Sequence, residues 1–165
     1  TVLADLTVAV QVGMILAALV FIRKVTTTTT VAEVTPEYIQ SGFAHSLQTN
    51  EIPADVSVFR IHGPFLFGST DKLSLIEDQI DQLGHVVMLR LRNMTAMDAT
   101  GLQALEHLAS KLKQSGRELV LCAPREQPGK LMEQAEFHRH IGEENIQPSL
   151  QAGLRRAREL LAKKG

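Results

Sequence analysis

The chain has 165 residues, of which 44% are hydrophobic and only 4% are aromatic, so we expect one domain of ordinary size with a mainly aliphatic core. Its formal net charge of -1 argues against a nucleic-acid partner, because proteins that bind nucleic acid usually present a strongly basic surface. The single cysteine, Cys122, excludes an internal disulfide and favours a reducing compartment.

An uncharged apolar run at residues 6–22 predicts a membrane helix. As a helix it would span about 26 Å, slightly less than a hydrocarbon core of about 30 Å. Since the chain begins with Thr1 and not with methionine, we expect a fragment or a processed chain, with the helix truncated at its start. Asp5 and Gln11 suggest a helix that packs against other protein. The alternative is a buried core helix of a soluble domain.

The charges that flank this run predict its orientation. Arg23 and Lys24 follow it directly, which favours a cytoplasmic location for everything after Ile22 and argues against a cleavable signal peptide. The five threonines at residues 26–30 are poor helix formers, so the helix should end there. We therefore divide the chain into a membrane helix at 1–22, a linker at 23–36 and a cytoplasmic domain at 37–165.

Strands and helices alternate along the predicted domain. β-Branched and apolar runs predict strands at 56–61, 86–91 and 119–123, with a weaker edge strand at 41–48. Apolar residues at helical spacing predict helices at 73–83, from Asp98 to Gly116, at 129–137 and at 149–164. Gly63 and Pro64 should end the first of these strands, and Ser69, Thr70 and Asp71 offer caps for the first helix. This order implies βαβ units and a mainly parallel sheet.

The loop made of Asp98, Ala99, Thr100 and Gly101 is the candidate functional site. It joins a buried strand to a helix, where free N–H groups and the helix dipole attract anions. The structural alternative is that Asp98 caps the helix, while Gly101 allows another segment to approach closely.

Other chemistry receives little support from the sequence. Among six histidines only His138 and His140 are close, and their spacing does not suit a metal site, so we expect no metal. Cys122 lies in an apolar strand, which favours a chemically inert core residue. No catalytic or cofactor motif is present, so we expect neither an enzyme nor a cofactor. A basic set near the C-terminus is a solvated face or a contact for anionic lipid: Arg155, Arg156, Arg158, Lys163 and Lys164.

Three stretches together resemble a STAS domain of the sulfate permease (SulP) type: VFRIHGPFLFGS at 58–69, VVMLRLRNMTAMDATGLQAL at 86–105 and LVLCAPREQPGKLMEQ at 119–134. The apolar run before Arg23 resembles the last membrane helix of that family. The resemblance implies a mixed, mainly parallel sheet of about four strands with helices chiefly on one face. Bacterial anti-anti-sigma factors share this fold and are phosphorylated on the serine directly after the loop aspartate. Ala99 occupies that position and has no hydroxyl, although Thr100 follows it.

The resemblance implies a cytoplasmic regulatory or assembly module of a transporter in the inner membrane, carrying sulfate, bicarbonate or dicarboxylates through a separate membrane domain. The implied partners are that membrane domain, a second protomer, the bilayer through residues 1–22, and an unidentified cytoplasmic protein or nucleotide. The alternative is a soluble signalling domain like the anti-sigma-factor antagonists. The apolar run favours the transporter, and Ala99 argues against the signalling domain.

Overall fold

The computed structural model describes residues 2–34, 52–67 and 69–164. Its helices are α1 (Val2–Thr27), α2 (Ser74–Glu77), α3 (Ala99–Gln114), α4 (Glu126–Gln134), α5 (His138–Ile141) and α6 (Leu150–Lys164). Its strands are β1 (Thr30–Glu33), β2 (Val56–Phe65), β3 (Val86–Met97), β4 (Glu118–Cys122) and β5 (Ile146–Gln147). Short 3₁₀ turns lie at Thr70–Leu73, Ile80–Gln82 and Glu143–Asn145.

The five strands form one sheet in the order β1-β2-β3-β4-β5. β1 is antiparallel to β2, and every other neighbouring pair is parallel. The expected mixed, mainly parallel sheet is confirmed, and the described residues contribute five strands where about four were expected.

The edge strand β1 corrects the linker assignment, because residues 30–33 belong to the sheet and residues 23–27 belong to α1. β-Branched Thr30 and Val31 suit a strand, and Val31 is buried opposite Ile61 of β2. The helix nevertheless ends within the threonine run, at Thr27, as expected. The weaker strand predicted at 41–48 lies outside the described residues.

The sheet has an apolar layer on each face. Alternate residues of β3 point to opposite sides, so Val87 and Leu89 join one cluster while Val86 and Met88 join the other. α3 and α4 cover the first cluster together with the segment at 70–83, and α6 covers the second. The expected arrangement, with helices chiefly on one face, is therefore present, and β3 is buried on both sides.

Two strands extend beyond their predicted ends. β2 continues through Gly63 and Pro64 to Phe65, and β3 continues to Met97. The pairing accommodates the glycine and proline through register shifts, and Gly63 adopts a φ of 90°. At Gly63 a Cβ atom would lie 2.9 Å from the carbonyl oxygen of Thr28, so a side chain there would collide with the chain leaving α1. The glycine therefore permits this close approach and does not end the strand.

The helix predicted at 73–83 is instead a series of short turns around α2. Ser69 does not cap it, because its hydroxyl accepts a bond from the Leu66 N–H at 3.0 Å and donates to the Leu66 carbonyl at 2.6 Å. Gln79 then leaves helical geometry, with φ −114° and ψ 21°. The apolar spacing was correctly identified even so, since Leu73 and Ile76 are buried.

The helix predicted at 129–137 begins and ends earlier, as α4. Glu136 has a φ of 54°, and this left-handed residue turns the chain so that the Phe137 N–H donates to the Met132 carbonyl at 2.9 Å. The helices predicted after Asp98 and at 149–164 are confirmed as α3 and α6, and Gly116 follows α3 with a φ of 74°.

Candidate functional site

Asp98 begins the candidate site by capping α3. Its Oδ1 accepts a hydrogen bond from the Gly101 N–H at 2.8 Å, and its carbonyl accepts one from the Leu102 N–H at 3.0 Å. The backbone of Asp98 is extended, with φ −108°, as is usual for the residue before a helix. The capping role considered in the sequence analysis is confirmed.

The second carboxylate oxygen of Asp98 has a role that the sequence did not reveal. Oδ2 accepts a hydrogen bond from the N–H of Phe67 at 3.0 Å. One side chain therefore joins the loop after β2 to the first turn of α3. Two bonds to Gln127 of α4 hold the end of β3 as well, because the Met97 N–H donates to Gln127 Oε1 at 2.9 Å and Gln127 Nε2 donates to the Met97 carbonyl at 2.8 Å.

Gly101 is buried where α3 crosses β2. A Cβ atom at this position would lie 2.5 Å from the carbonyl oxygen of Phe65 and 2.9 Å from its Cδ1. The first contact is with main chain, which cannot rotate away as a side-chain tip can. The expectation that Gly101 lets another segment approach closely is confirmed, and the segment is the end of β2.

The exposed part of the site is small and partly apolar. Ala99 is exposed and Thr100 is half-buried, while Phe67 is 74% exposed although its backbone is bound to Asp98. We call Phe67, Ala99 and Thr100 the Asp98 surface. An exposed phenylalanine beside a fixed loop is the type of residue that contributes strongly to protein interfaces when it becomes covered.

The apolar helix enters the domain at this same edge of the sheet. After α1 ends, the Thr29 hydroxyl donates to the carbonyl of Pro64, and Thr29 is buried. Gly63 and Pro64 pair with Met94 and Ala96 near the carboxyl end of β3, shortly before Asp98. α1 and the Asp98 surface therefore both adjoin the carboxyl end of the β2–β3 pair.

α1 is long and apolar enough to cross a membrane over Leu6–Lys24. This span has a mean hydropathy of 2.1, and none of its residues is buried. At about 1.5 Å per residue, the 26 residues of the whole helix extend for about 39 Å, which exceeds a hydrocarbon core of about 30 Å. The helix continues beyond residues 6–22 at both ends, but it adds Arg23 and Lys24, so its 19-residue apolar span of about 28 Å stays slightly shorter than the core, as expected.

Of the remaining candidates, Cys122 is buried in the core, whereas His138 and His140 lie in a short helix. Burial raises the pKa of Cys122 to about 12, an effect partly offset by the nearby charge of Arg90, so the thiol stays protonated in the core. His138 and His140 both lie in α5, and no cluster of three potential metal ligands occurs among residues 2–34, 52–67 and 69–164.

Arg156 departs from the expected basic face of α6. Its side chain is only 12% exposed, and Nε donates to Asn145 Oδ1 at 2.8 Å. Its terminal nitrogens form ion pairs with Glu144 at 3.2 Å and Glu159 at 3.3 Å. Arg156 therefore fastens α6 to the turn before β5, whereas Arg155 and Lys163 remain exposed.

Comparisons with known proteins agree with this architecture. The STAS domain family model matches residues 47–153, almost two thirds of the chain. The Bacillus subtilis (strain 168) protein named "Putative sulfate transporter YvdB" is 25% identical over 147 residues, which cover 88% of this chain and 26% of that protein. The chain thus spans about a quarter of the length of this curated relative.

Solved structures support the fold. A sulfate transporter family protein from Wolinella succinogenes is 27% identical with a TM-score of 0.66, covering 72% of this chain and 98% of its own. The SulP transporter STAS domain from Vibrio cholerae shares the fold at 20% identity and a TM-score of 0.60, covering 76% and 98%. The anti-sigma factor antagonist SpoIIAA shares it at 13% identity and a TM-score of 0.55, covering 67% and 94%. With the family model matched over most of the folded region, the chain belongs to the STAS domain family.

Proposed function

We propose that this chain is the cytoplasmic STAS domain of a SulP-type anion transporter, together with the membrane helix that precedes it. The observation that carries the proposal is α1, whose apolar span at Leu6–Lys24 is left uncovered by the described residues of the domain to which it is joined. Exposed apolar area of this extent is typical of a segment that meets lipid or another protein. The similarity to YvdB, which extends over 88% of the chain and so includes part of this helix, supports the same conclusion.

The orientation follows from the charges at the end of α1. Arg23 and Lys24 lie one turn before the helix ends at Thr27, and cationic residues concentrate on the cytoplasmic side of membrane helices. The STAS domain begins directly afterwards, since Thr29 is already buried against β2. The domain therefore lies in the cytoplasm close to the inner membrane.

The Asp98 surface is the part of the domain that contacts the rest of the transporter or a regulatory partner. It adjoins the same edge of the sheet as the exit from α1, so it lies on the side from which the membrane helix arrives. Its exposed Phe67 and Ala99 provide apolar area, while Asp98 is occupied by its two hydrogen bonds. This arrangement suits regulation and assembly by contact and does not suit catalysis.

Transport itself belongs to a separate membrane domain. The substrate is an anion of the sulfate, bicarbonate or dicarboxylate class. The partners are that membrane domain and a second protomer, because the family resemblance implies a dimeric transporter.

A soluble role like that of the anti-sigma-factor antagonists is the second candidate, favoured by the shared fold. Two features oppose it. Ala99 offers no hydroxyl for phosphorylation, and a soluble domain would have to keep the uncovered apolar side of α1 in water.

Truncation of α1 tests the proposal. A chain that begins at Thr28 keeps the Thr29 hydrogen bond and β1, so its fold should survive. We expect the full chain to require detergent and the truncated chain to be a soluble monomer. Replacing Leu16 and Leu19 by arginine provides the control, because each arginine near a membrane centre costs about 2.5–3.5 kcal/mol and should release the full chain from membranes. Equal solubility of the full and truncated chains without detergent would show that α1 is not a membrane helix.

A further inference from the structure

A cavity of about 490 Å³ lies where β4 and β5 end beside β3. It is separate from the Asp98 surface and shares none of its residues. In open parallel sheets, ligands characteristically bind outside the carboxyl ends of the strands. The volume falls within the range of about 300–1,000 Å³ that is usual for small-molecule sites.

Three arginines line this cavity: Arg90, Arg92 and Arg125. Among the described residues that line it there is no aspartate or glutamate. Arg60 of β2 is the register partner of Arg90, so a fourth arginine lies in this part of the sheet. A concave surface with charges of one sign attracts ligands of the opposite sign.

The arginines are held by the fold. Arg90 is half-buried in β3, on the side of the sheet that α6 covers. Ala123, directly after β4, adopts a φ of 54° while its N–H donates to the Gln147 carbonyl at 2.8 Å. This turn brings Arg125 back to β3, where its Nε donates to the Arg92 carbonyl at 2.9 Å. The bond fixes the position of Arg125 in the wall of the cavity.

The beginning of α6 completes the wall. Ser149 and Gln151 line the cavity, and the Ser149 hydroxyl accepts a bond from the Ala152 N–H at 3.2 Å, which places the first turn of this 15-residue helix at the site. The first N–H groups of a helix have no partner within the helix, and its dipole favours negative charge there. This helix end adds to the effect of the arginines.

We propose that the cavity binds a small soluble anion bearing a phosphate or sulfate group, with Arg90, Arg92 and Arg125 as its main contacts. Guanidinium groups bind such oxyanions through paired, charge-assisted hydrogen bonds, which is why arginine suits the task better than lysine. The volume accommodates a group larger than the oxyanion itself, and Leu150 and Pro148 provide apolar wall for it. The proposal does not depend on the transporter assignment.

Binding is tested on the full chain in a mild detergent, by calorimetric titration with inorganic phosphate, sulfate and glucose 6-phosphate at millimolar concentrations. We expect binding that weakens as salt is added, because the contacts are ionic. If the free ions bind as well as the sugar phosphate, the ligand is the ion itself, and tighter binding of the sugar phosphate assigns an organic anion. Either result supports the proposal, whereas absence of binding by all three probes overturns it.

Variants locate the site. Joint replacement Arg92→Gln and Arg125→Gln should raise the dissociation constant by about tenfold or more, since each removes charge-assisted hydrogen bonds. Arg155→Gln is the matched control, because Arg155 is exposed on α6 and does not line the cavity. This replacement should change the dissociation constant by at most about twofold. If the double variant fails to fold, Gln151→Glu tests the same site by adding a carboxylate to its wall. Unchanged binding in the folded double variant, or in Gln151→Glu, would refute the assignment.

Discussion

The loop after β3 and the loop after β4 leave one sheet at the same edge, yet their polar groups are used differently. In the first loop, both carboxylate oxygens of Asp98 are occupied, by the N–H groups of Gly101 and Phe67. In the second, Arg125 Nε donates to the Arg92 carbonyl, and Arg125 lines the cavity. We therefore propose the first loop as a contact surface for a macromolecule and the second as part of a site for a small anion.

The difference arises from how far each strand is paired. β3 stays paired with β2 as far as Met97, so its loop is packed against the end of β2 and against α4. β4 stops at Cys122, and the left-handed Ala123 turns the chain aside, which leaves space above β3. We call the loop after β3, with the start of α3, the closed corner of the sheet. We call the loop after β4, with the cavity beside it, the open corner.

The largest expected loss of stability comes from Gly101→Ala, which disturbs the close packing of the closed corner. Alanine would normally stabilise a helix relative to glycine by about 1 kcal/mol. Here the new Cβ would meet the Phe65 carbonyl at 2.5 Å, so we expect a net destabilisation of about 3 kcal/mol from overpacking. The buried thiol of Cys122, the chain's single cysteine, is a built-in reporter, because a thiol-reactive fluorophore should label it only on unfolding.

Gly129→Ala in α4 is the matched control for this substitution. Its Cβ would meet only Pro124 Cβ at 3.9 Å, so the ordinary gain of about 1 kcal/mol should appear. Equal melting temperatures for the two variants would mean that α3 does not approach β2 as closely as the structure shows.

A smaller loss is expected from Asp98→Ala, which removes the cap of α3 and the bond to Phe67 together. The cap is worth about 1 kcal/mol and the second hydrogen bond about as much, for a total of about 2 kcal/mol. Asp98→Asn separates the two, because its single carbonyl oxygen can keep the Gly101 bond while its amide group cannot accept from Phe67. We therefore expect Asn to lie about midway between Asp and Ala in melting temperature. An asparagine variant as unstable as alanine would assign the whole effect to the carboxylate charge.

Much of the closed corner was predictable from the sequence because its contacts are local. Asp98 caps Gly101 three residues later, and the apolar spacing of α3 directly predicts its buried face. The hydrogen bond from Phe67 to Asp98 joins residues that are 31 positions apart, and no local sequence pattern predicts such a contact. β1 was missed for a related reason, since four residues become a strand only when the edge of β2 is available to pair with them.

The open corner was not predicted because its contacts also join residues that are distant in the sequence. Arg90 and Arg92 lie in a strand, Arg125 follows another strand, and Ser149 precedes a helix, so the cavity exists only after three segments meet. In the sequence these arginines resemble ordinary surface charges. One available signal was the short interval from Cys122 to Arg125, because a residue that follows a buried parallel strand lies at the ligand-binding edge of the sheet.

A phosphorylation assay compares the Asp98 surface with the matching loop of the anti-sigma-factor antagonists, and it does not depend on a change in the stability of the chain. Ala99 is exposed but has no hydroxyl, so incubation with an anti-sigma-type kinase and ATP should add no mass to the chain. Ala99→Ser restores an exposed hydroxyl directly after the aspartate and is the positive counterpart, measured by intact-mass spectrometry. A phosphate on Thr100 in the unchanged protein would contradict the prediction, and it would show that the switch lies one residue later.

The smallest effect on stability, and the most direct test of the Asp98 surface, is expected from Thr100→Glu. Thr100 is half-buried in the first turn of α3, where a carboxylate is favoured by the helix dipole, so the change in unfolding free energy should stay within about 0.5 kcal/mol. The same carboxylate alters the charge and bulk of the surface, so anion uptake by the full-length transporter should change. Phe67→Ser should do likewise by removing apolar contact area, whereas Leu75→Ser is its control, because Leu75 is 53% exposed and is not part of the Asp98 surface. Normal uptake by both Thr100→Glu and Phe67→Ser, with normal melting, would leave helix capping as the only role of this loop.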